Sequence, residues 1–452
     1  MEWQSPDEPR RKRVLILGGG FAGVYTAYEL QKRLGDDPVD VAIVNRENFF
    51  VFYPLLPEII SGAIETSSIL NPIRLVAPQA SLYVGEVDEI NIENQRVDVR
   101  LGLYGRYQDQ RPLYYDYLVI ALGGVPNTIV VPGMADNAFD VQRLSNAFAL
   151  RNHVIDTLEQ ADVETNPVDK RRLLTFVVVG GGTNGVEVVS EMHDMLVGVT
   201  SRYRHIERSD IRVVLIHGGP RLIPDMPQSL GDFAEHLLGE KGIEMLLNTR
   251  VARVEPDRVF LDNGESIEAS TIVGSVGVSP NPLIQTLPLE QNQKGQLRTS
   301  RSLNVPGHPN VWAVGDTAEV IDKHTGKPYP QTAQHAVREA RTVAANIVAS
   351  IRGEQMRSIS YKTKGQLVAL GHRSAVAYIM GLKLSGFPAW WIWRSYYLLQ
   401  IPRWDKRLRV MFDWTLDLVF PPELTQLKVG QPTPSALANP LPARERATTN
   451  RD

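Results

Sequence analysis

The apolar and polar positions of this chain fall twice into the same figure. Residues 14–30 read VLILGGGFAGVYTAYEL and residues 176–192 read FVVVGGGTNGVEVVSEM. Each is a short continuous apolar run, a cluster of glycines, then a stretch spaced for a helix, which predicts strand, turn and helix. A further apolar strand is predicted soon after each, at 39–45 and at 211–217. Strands ending in glycine follow at 115–124 (YDYLVIALGG) and 271–278 (TIVGSVGV), and a third at 310–316 (NVWAVGD) ends in a carboxylate. Residues 332–351 predict a long helix with Ala333, Ala336, Val337, Ala340, Val343, Ala344, Ile347, Val348 and Ile351 on one stripe. Strands alternating with helices predict an α/β fold with parallel sheets.

Both turns fit the spacing G-x-G-x-x-G, as Gly18, Gly20, Gly23 and as Gly180, Gly182, Gly185. The first glycine makes a tight turn, the second lets backbone approach a pyrophosphate, and the third lets helix pack on strand. The pyrophosphate then sits at the positive end of the helix. One such match is weak, because glycine turns between strand and helix are common. Two in full context imply two Rossmann-like units and two dinucleotides.

Beyond about residue 380 the patterning changes, and five of the seven tryptophans (Trp390, Trp391, Trp393, Trp404, Trp414) lie there. Residues 384–401 are apolar enough to suggest a membrane span, but they contain Pro388 and place Arg394 mid-segment. An arginine at a bilayer centre costs roughly 2.5–3.5 kcal/mol. Residues 404–420 read as an amphipathic helix. Asp405, Lys406, Arg409, Asp413 and Asp417 share one face, Trp404, Leu408, Met411, Phe412, Thr415 and Val419 the other, and Arg407 is the exception. Interfacial tryptophans beside basic residues suit a helix lying in a headgroup plane; the alternative is a dimer-interface or core helix. The Pro-, Ala- and Arg-rich stretch 426–452 predicts disorder.

Composition then narrows the chemistry. The length, 452 residues, allows two or three domains, and 43% hydrophobic with 22% charged residues is ordinary for a soluble protein. A net charge of −3 gives no global basic field, so no nucleic-acid partner is expected. The chain has no cysteine, so disulfides, thiolate metal sites and cysteine-held iron–sulfur clusters are excluded. Redox work would rest on an organic cofactor, and no metal site is expected. The first thirteen residues mix Asp7 and Glu8 with the basic run at 10–13, which suits neither a secretory signal nor a transit peptide. A short solvated tail and a cytoplasmic protein are expected.

With the paired glycine turns and the YDYLVIALGG and WAVGD strands, the chain resembles the two-dinucleotide-binding-domain flavoproteins (pyridine nucleotide-disulfide oxidoreductase-like). The resemblance implies an FAD domain discontinuous in sequence, 12–145 with 295–375, and an inserted NAD(P)H domain at 146–294. A C-terminal membrane-association region at 376–425 and the disordered tail at 426–452 complete it. FAD would lie on Gly18, Gly20, Phe21, Ala22 and Gly23, on Asn45 and Arg46, and on Val87, Ala121, Gly123, Thr332 and Ala333. Gly315 would bring up Asp316 to accept from ribityl hydroxyls. NADH, with NADPH open, would lie on Gly180, Gly182, Gly185, His217, Gly277 and Val278.

Absent cysteine removes members that pass electrons through a redox disulfide. Type II NADH:quinone dehydrogenases and reductases of ferredoxin or rubredoxin type remain. Three features resemble the former: residues 49–62 (FFVFYPLLPEIISG), residues 332–338 (TAQHAVR, similar to its Ala-Gln-x-Ala-x-Gln helix start) and the aromatic C-terminus. The function so implied is FAD-dependent transfer of a hydride from NAD(P)H and then of two electrons to a membrane quinone, without proton pumping. The protein would sit peripherally on the cytoplasmic face of the cell membrane, with a homodimer open. The alternatives are a reductase of a soluble ferredoxin- or rubredoxin-like protein and a non-catalytic NAD(H)-binding flavoprotein module.

The chain departs from that family at three positions. Arg338 replaces the motif's second glutamine, and Asn45 and His217 replace acids at the ends of the two second strands. A carboxylate at the NAD position accepts from the 2′-hydroxyl of NADH and repels the phosphate of NADPH; His217, with Arg221 four residues on, weakens that discrimination. Glu187, by the resemblance, would face nicotinamide and flavin, positioning NADH or relaying a proton; the plain alternative is an acid favoured at a helix start. Gln334 and Arg338 lie one turn apart, off the apolar stripe, and are expected to face a cavity beside the flavin. The plain alternative is two solvated helix residues. Neither dinucleotide site uses residues 384–452, so that segment is expected to be dispensable for folding and flavin loading.

Overall fold

The computed structural model describes residues 11–102, 109–420 and 424–426. Most of the tail expected at 1–13, and all of the tail expected at 426–452 after Gln426, lie outside them.

Lys12–Leu17 pairs in parallel with Val39–Asn45 on one side and Tyr117–Ile120 on the other. Val14, Leu15, Ile16 and Leu17 are fully buried, as expected of a parallel strand covered on both faces. His308–Ala313 lies beside Tyr117–Ile120, so a strand from late in the chain completes a sheet begun at residue 12. Ser81–Asn91, Arg96–Leu101 and Asp109–Tyr114 extend the other edge. The helix after the first glycine turn is α1, Phe21–Leu34, and the FFVFYPLLPEIISG stretch ends in a short helix α2, Pro57–Ser61.

The second parallel sheet has Thr175–Val179 between Thr271–Gly274 and Arg212–Ile216, with Phe139–Asp140 and Glu244–Leu246 at its edges. Its glycine turn opens helix α3, Thr183–Val199. The strand expected over 271–278 stops at Gly274, and Val278–Pro280 instead pairs antiparallel with Gly124–Pro126. Two short extensions thus join the units. Phe139–Asp140 already pairs with Val273 and Gly274, so a domain boundary at 145 falls too late.

The long late helix, α4, is Ala333–Arg352 and packs along α1. Gly365–Ala369, Ala375–Ile379 and Leu382–Gly386 then form one antiparallel sheet. A boundary between 375 and 376 would cut that sheet, so the C-terminal unit starts by residue 365. Helix α5, Phe387–Gln400, carries Pro388 in its first turn, where the missing N–H has no intrahelical partner to lose.

Helix α6, Trp404–Asp417, is amphipathic but turned the other way from a helix resting on the protein by its apolar side. Its acids reach inward: Asp413 accepts from Ser68 Oγ at 2.7 Å and Asp417 from Arg394 at 3.3 Å. Trp404, Met411, Phe412, Leu416 and Val419 are exposed. Trp390, Trp393 and Trp414 are buried in the main core, and the Arg394 guanidinium stacks over Trp390 and Trp414 at 4.1 and 4.8 Å. The helices α5 and α6 are therefore part of the core, which corrects the expectation that the segment from residue 384 on is dispensable for folding. Among the described residues no helix is long and apolar enough to cross a membrane.

Candidate active site

The two glycine turns are built on the same contacts. Gly18 and Gly180 have φ of +105° and +117°, and a Cβ on either would overlap a carbonyl oxygen of the neighbouring strand end, Ala121 or Ser275. A Cβ on Gly23 or Gly185 would overlap the carbonyl of that first glycine. Around Gly20 and Gly182 there is nothing within 4 Å of a Cβ. Each turn is thus closed by two glycines and left open by a third, at the amide-rich start of a helix. That is the cradle an anionic pyrophosphate fits.

The middle glycines, outside the motif's spacing, matter as much. Gly19 N–H donates to Asn45 Oδ1 at 2.9 Å, and Gly181 N–H donates to His217 Nδ1 at 3.1 Å. His217 is therefore the Nε2–H tautomer, and burial holds its pKa below the ordinary imidazole value. Arg221 donates to the carbonyls of Met226 and Pro224, so its guanidinium is held by its own loop.

The other expected contacts form the rim of the first turn. Phe21 opens α1 against Phe50 and Phe52, ring centres 4.8 and 5.7 Å away. Gly315, at φ +68°, packs close to Ala22, which brings Asp316 to the turn from a strand almost three hundred residues later. Burial raises the Asp316 carboxyl, which hydrogen-bonds no other described side chain, as suits a group awaiting hydroxyl donors. Gly315 N–H donates to Glu339 Oε2 at 2.7 Å, an acid that burial pushes up to about 7. Arg46 is exposed, 4.0 Å from Glu86, and Val87 lies half-buried opposite Val99. Gly123 and Gly277 again match: each carbonyl accepts an amide across the joint, from Asn281 at 3.1 Å and Asn127 at 3.0 Å. Val278 is in the joining strand. These residues fit a dinucleotide at each turn.

Where the two units meet the C-terminal sheet, the strand Gly365–Ala369 ties both helix starts. Gln334 Nε2 on α4 donates to Gly365 O at 2.9 Å, Gln366 Nε2 donates to Thr183 Oγ1 on α3 at 3.2 Å, and Ala369 N–H donates to Glu187 Oε1 at 3.1 Å. Burial pushes the Glu187 carboxyl up to about 8, with Glu191 adding to it and the Ala369 bond opposing. Burial also raises the Tyr397 hydroxyl on α5, and the Glu187 carboxyl facing it raises it further. Tyr397 in turn lies 6.3 Å from Phe52.

Gln334 corrects the expectation that its amide faces a cavity. Its second end accepts from Tyr361 Oη at 3.1 Å, so both ends are held by protein and the residue anchors the sheet. Arg338, one turn on, lies half-buried over the Tyr361 ring at 4.9 Å. Thr332 is the exposed N-cap residue of α4 and Ala333 its first helical residue. Five residues were missed by sequence reading: Glu58, Ser61, Glu191, Gln366 and Tyr397. Two had a usable signal. Glu58 is the one charged residue in an apolar stretch, and Glu191 stands one turn from Glu187.

Comparison with known proteins agrees with this geometry. Residues 12–340 match the pyridine nucleotide-disulphide oxidoreductase family and residues 363–421 match the NDH2 C-terminal domain. A demethylphylloquinone reductase of Synechocystis sp. is 33% identical over 89% of this chain and 96% of its own. A type II NADH:quinone oxidoreductase of Mycobacterium tuberculosis is 30% identical over 90% of this chain and 88% of its own. Among solved structures, NDH2 from Plasmodium falciparum in complex with NADH shares the fold, with a TM-score of 0.85 at 22% identity, covering 92% of this chain and 100% of its own. The chain belongs to the pyridine nucleotide-disulphide oxidoreductases and, within them, to the type II NADH:quinone oxidoreductase family.

Proposed function

We propose that this protein is a peripheral membrane NAD(P)H:quinone oxidoreductase that binds FAD at the first glycine turn and the nicotinamide dinucleotide at the second. One observation carries the reading. A single strand, Gly365–Ala369, fastens the start of the nucleotide-domain helix at Glu187 and Thr183 to the start of α4 at Gln334. That arrangement supports hydride transfer between the two units and electron exit on the C-terminal side. Bound FAD would supply the carrier that takes two electrons from NADH and passes them on. Gly20 and Gly182 leave room for the pyrophosphates, and Asp316 offers an acceptor to a polyol. Arg338 rests over Tyr361, both act on Tyr396 of α5, and Tyr396 lies 5.3 Å from Tyr397, so a quinone carbonyl beside Tyr396 would meet a fixed cation.

The outward apolar residues of α5 and α6, Trp391, Leu399, Trp404, Phe412 and Leu416, support a membrane surface as the place where quinone is met. The soluble-acceptor alternative would give those residues no task. Stopped-flow reduction by NADH and by NADPH, followed by reoxidation with a quinone or a ferredoxin, tests the reading. Fast reoxidation by quinone in lipid or detergent is expected. Fast reoxidation by ferredoxin alone would overturn it.

A further inference from the structure

Helices α2 and α3 meet at two acids that neither glycine turn uses. Glu58 and Glu191 are 4% and 7% exposed, and their neighbour Ser61 is 5% exposed. A buried carboxylate ordinarily has a cation in contact. The cations facing this pair are engaged elsewhere: Lys241 holds Asp194 at 2.8 Å and Arg394 holds Asp417 at 3.3 Å. Arg151 donates to the carbonyl of Ile60, between the two α2 side chains. Glu187 and Asp194 on α3 and Asp417 on α6 add further negative charge around the pair.

One hydroxyl stands between the two acids. Ser61 Oγ lies 2.5 Å from Glu191 Oε2 and 3.1 Å from the main-chain oxygen of Glu58. The Ser61 hydroxyl donates toward Glu191 Oε2 and the Glu58 main-chain oxygen together, so it joins the surroundings of the two acids without bringing a positive charge to either. Glu58 is on the accepting side: its Oε2 takes the Trp414 indole N–H at 2.7 Å. Burial raises both carboxyls well above the ordinary range, and the Glu58 charge raises Glu191 further. Glu191 stands at i+4 from Glu187, so their side chains share a helix face with Cβ atoms roughly 5–6 Å apart.

We propose that Glu58 and Glu191 hold one proton between them, a buried store that reloads Glu187 during turnover. This rests on the proposed quinone reductase reading, in which NADH, one proton and a quinone give NAD⁺ and a quinol. A Glu187 that has given its proton to the quinone side takes one from Glu191. The Glu191 carboxylate then takes one from solvent, the proton the overall reaction consumes, and no electron moves in either step. Glu58 and Glu191 are positioning residues for the Glu187 proton.

Infrared spectroscopy of the full-length protein, titrated with pH and with no turnover, reads the store directly. Buried carboxylic acid C=O absorption is expected near neutral pH, with Glu187 and Glu339 contributing to it, and one component of it should be lost in Glu191→Gln. In Glu58→Gln the remaining Glu191 should titrate lower by about one pH unit or more, because its like-charged neighbour is gone. An unmoved Glu191 titration, or no acid band in the wild type, would sink the shared proton. If Glu191→Gln fails to fold, Ser61→Ala serves in its place: the Glu191 band must shift when its hydrogen-bond partner is removed, and an unchanged band counts against the proposal.

The kinetic arm separates the store from the function it serves. Glu191→Gln should slow reoxidation by quinone about tenfold or more, with a larger solvent isotope effect, while reduction by NADH changes less than about threefold. Equal slowing of both steps would mean a purely structural role and overturn the store. A wild type that passes no electrons from NADH to quinone would overturn the functional reading while leaving the infrared titration to stand or fall alone.

Discussion

At the end of its second strand the first dinucleotide unit has Asn45, and the second has His217. Both side chains accept the N–H of the middle glycine of their turn, at 2.9 and 3.1 Å. Around them the backbone is the same solution reached twice. The difference lies in what closes over each turn. The first is covered by distant chain: Gly315 against Ala22, Asp316 at the mouth, α4 along α1. At the second, the loop beyond His217 is closed by its own sequence neighbours, with Arg221 bonded back to Pro224 and Met226, and distant chain reaches only the helix start, through Gln366 and Ala369. A site completed by distant chain suits a ligand that stays, and a site completed locally suits one that comes and goes.

The strongest way to break this comparison is to fill the two open glycines. Gly20 and Gly182 have φ of −81° and −74° and no atom within 4 Å of a Cβ, so alanine fits the free protein without strain. Replacing glycine by alanine at such a site stabilises by about 0.4–1 kcal/mol through the unfolded state. Gly20→Ala should leave thermal stability of the apoprotein equal or higher and weaken flavin binding by about a hundredfold or more. Gly182→Ala should retain flavin and raise the NADH concentration needed for half-reduction by a similar factor. Flavin content and a stopped-flow titration check the pair. Loss of flavin in both variants would show that the turns are not independent sites.

The acid under the first turn gives the next effect. Glu339 accepts from Gly315 N–H, yet burial holds its carboxyl up to about 7 against an unfolded value of 4.5. The proton is bound more tightly in the folded state. Its stabilising contribution is complete below 4.5 and is lost as pH rises through about 7. The slope in that window approaches about 1.4 kcal/mol per pH unit. Glu339→Gln should flatten that part of the apoprotein's stability curve, measured by denaturant unfolding. A wild-type curve with no slope in the window would mean the Gly315 bond outweighs burial.

These elements differ in how far the sequence discloses them. The glycine turns were legible because their requirement is local: a Cβ at Gly23 strikes Gly18, five residues away. Asp316 was legible only through the strand that carries it, since the contact that brings it to the turn, Gly315 against Ala22, joins residues almost three hundred apart. Gln334 was misread because its acceptor, Gly365, lies in a sheet the apolar pattern did not predict. The C-terminal helix was read correctly as amphipathic, but not for its acids pointing inward, because Ser68 and Asp413 meet only in the fold. Ser61 and Glu191 are 130 residues apart, and nothing local to either announces a shared proton.

On the acceptor side, Arg338 tests whether electron exit is separate from electron entry. With both ends of Gln334 held by protein, Arg338 is the polar group left on that face of α4, resting on Tyr361. Arg338→Ala should slow flavin reoxidation by quinone by roughly ten- to a hundredfold, the loss expected for one useful donor. Reduction by NADH should change by less than about threefold. Equal slowing of both half-reactions would point to collapse of the Tyr361–Gln334 anchor instead, which Arg338→Lys would then rescue by keeping a cation on the ring.

The smallest effect returns to the two strand ends. A carboxylate at His217 would still accept the Gly181 N–H, so the turn should survive His217→Glu. It would add an acceptor for a ribose 2′-hydroxyl and a charge facing any 2′-phosphate. Arg221 is held by its own loop and offers that phosphate no compensation. The ratio of NADPH to NADH oxidation should fall by about tenfold, corresponding to ~1.4 kcal/mol. Asn45→Asp, the matching change at the first turn, should leave that ratio where it was and alter flavin retention alone. If Asn45→Asp shifts nicotinamide preference as much as His217→Glu does, the assignment of one dinucleotide to each turn is reversed or shared. If His217→Glu leaves the ratio unchanged while the turn stays intact, the imidazole serves only to close the loop at Gly181, and the 2′-position is read elsewhere, with Arg250 beside Gly218 the next side chain to test.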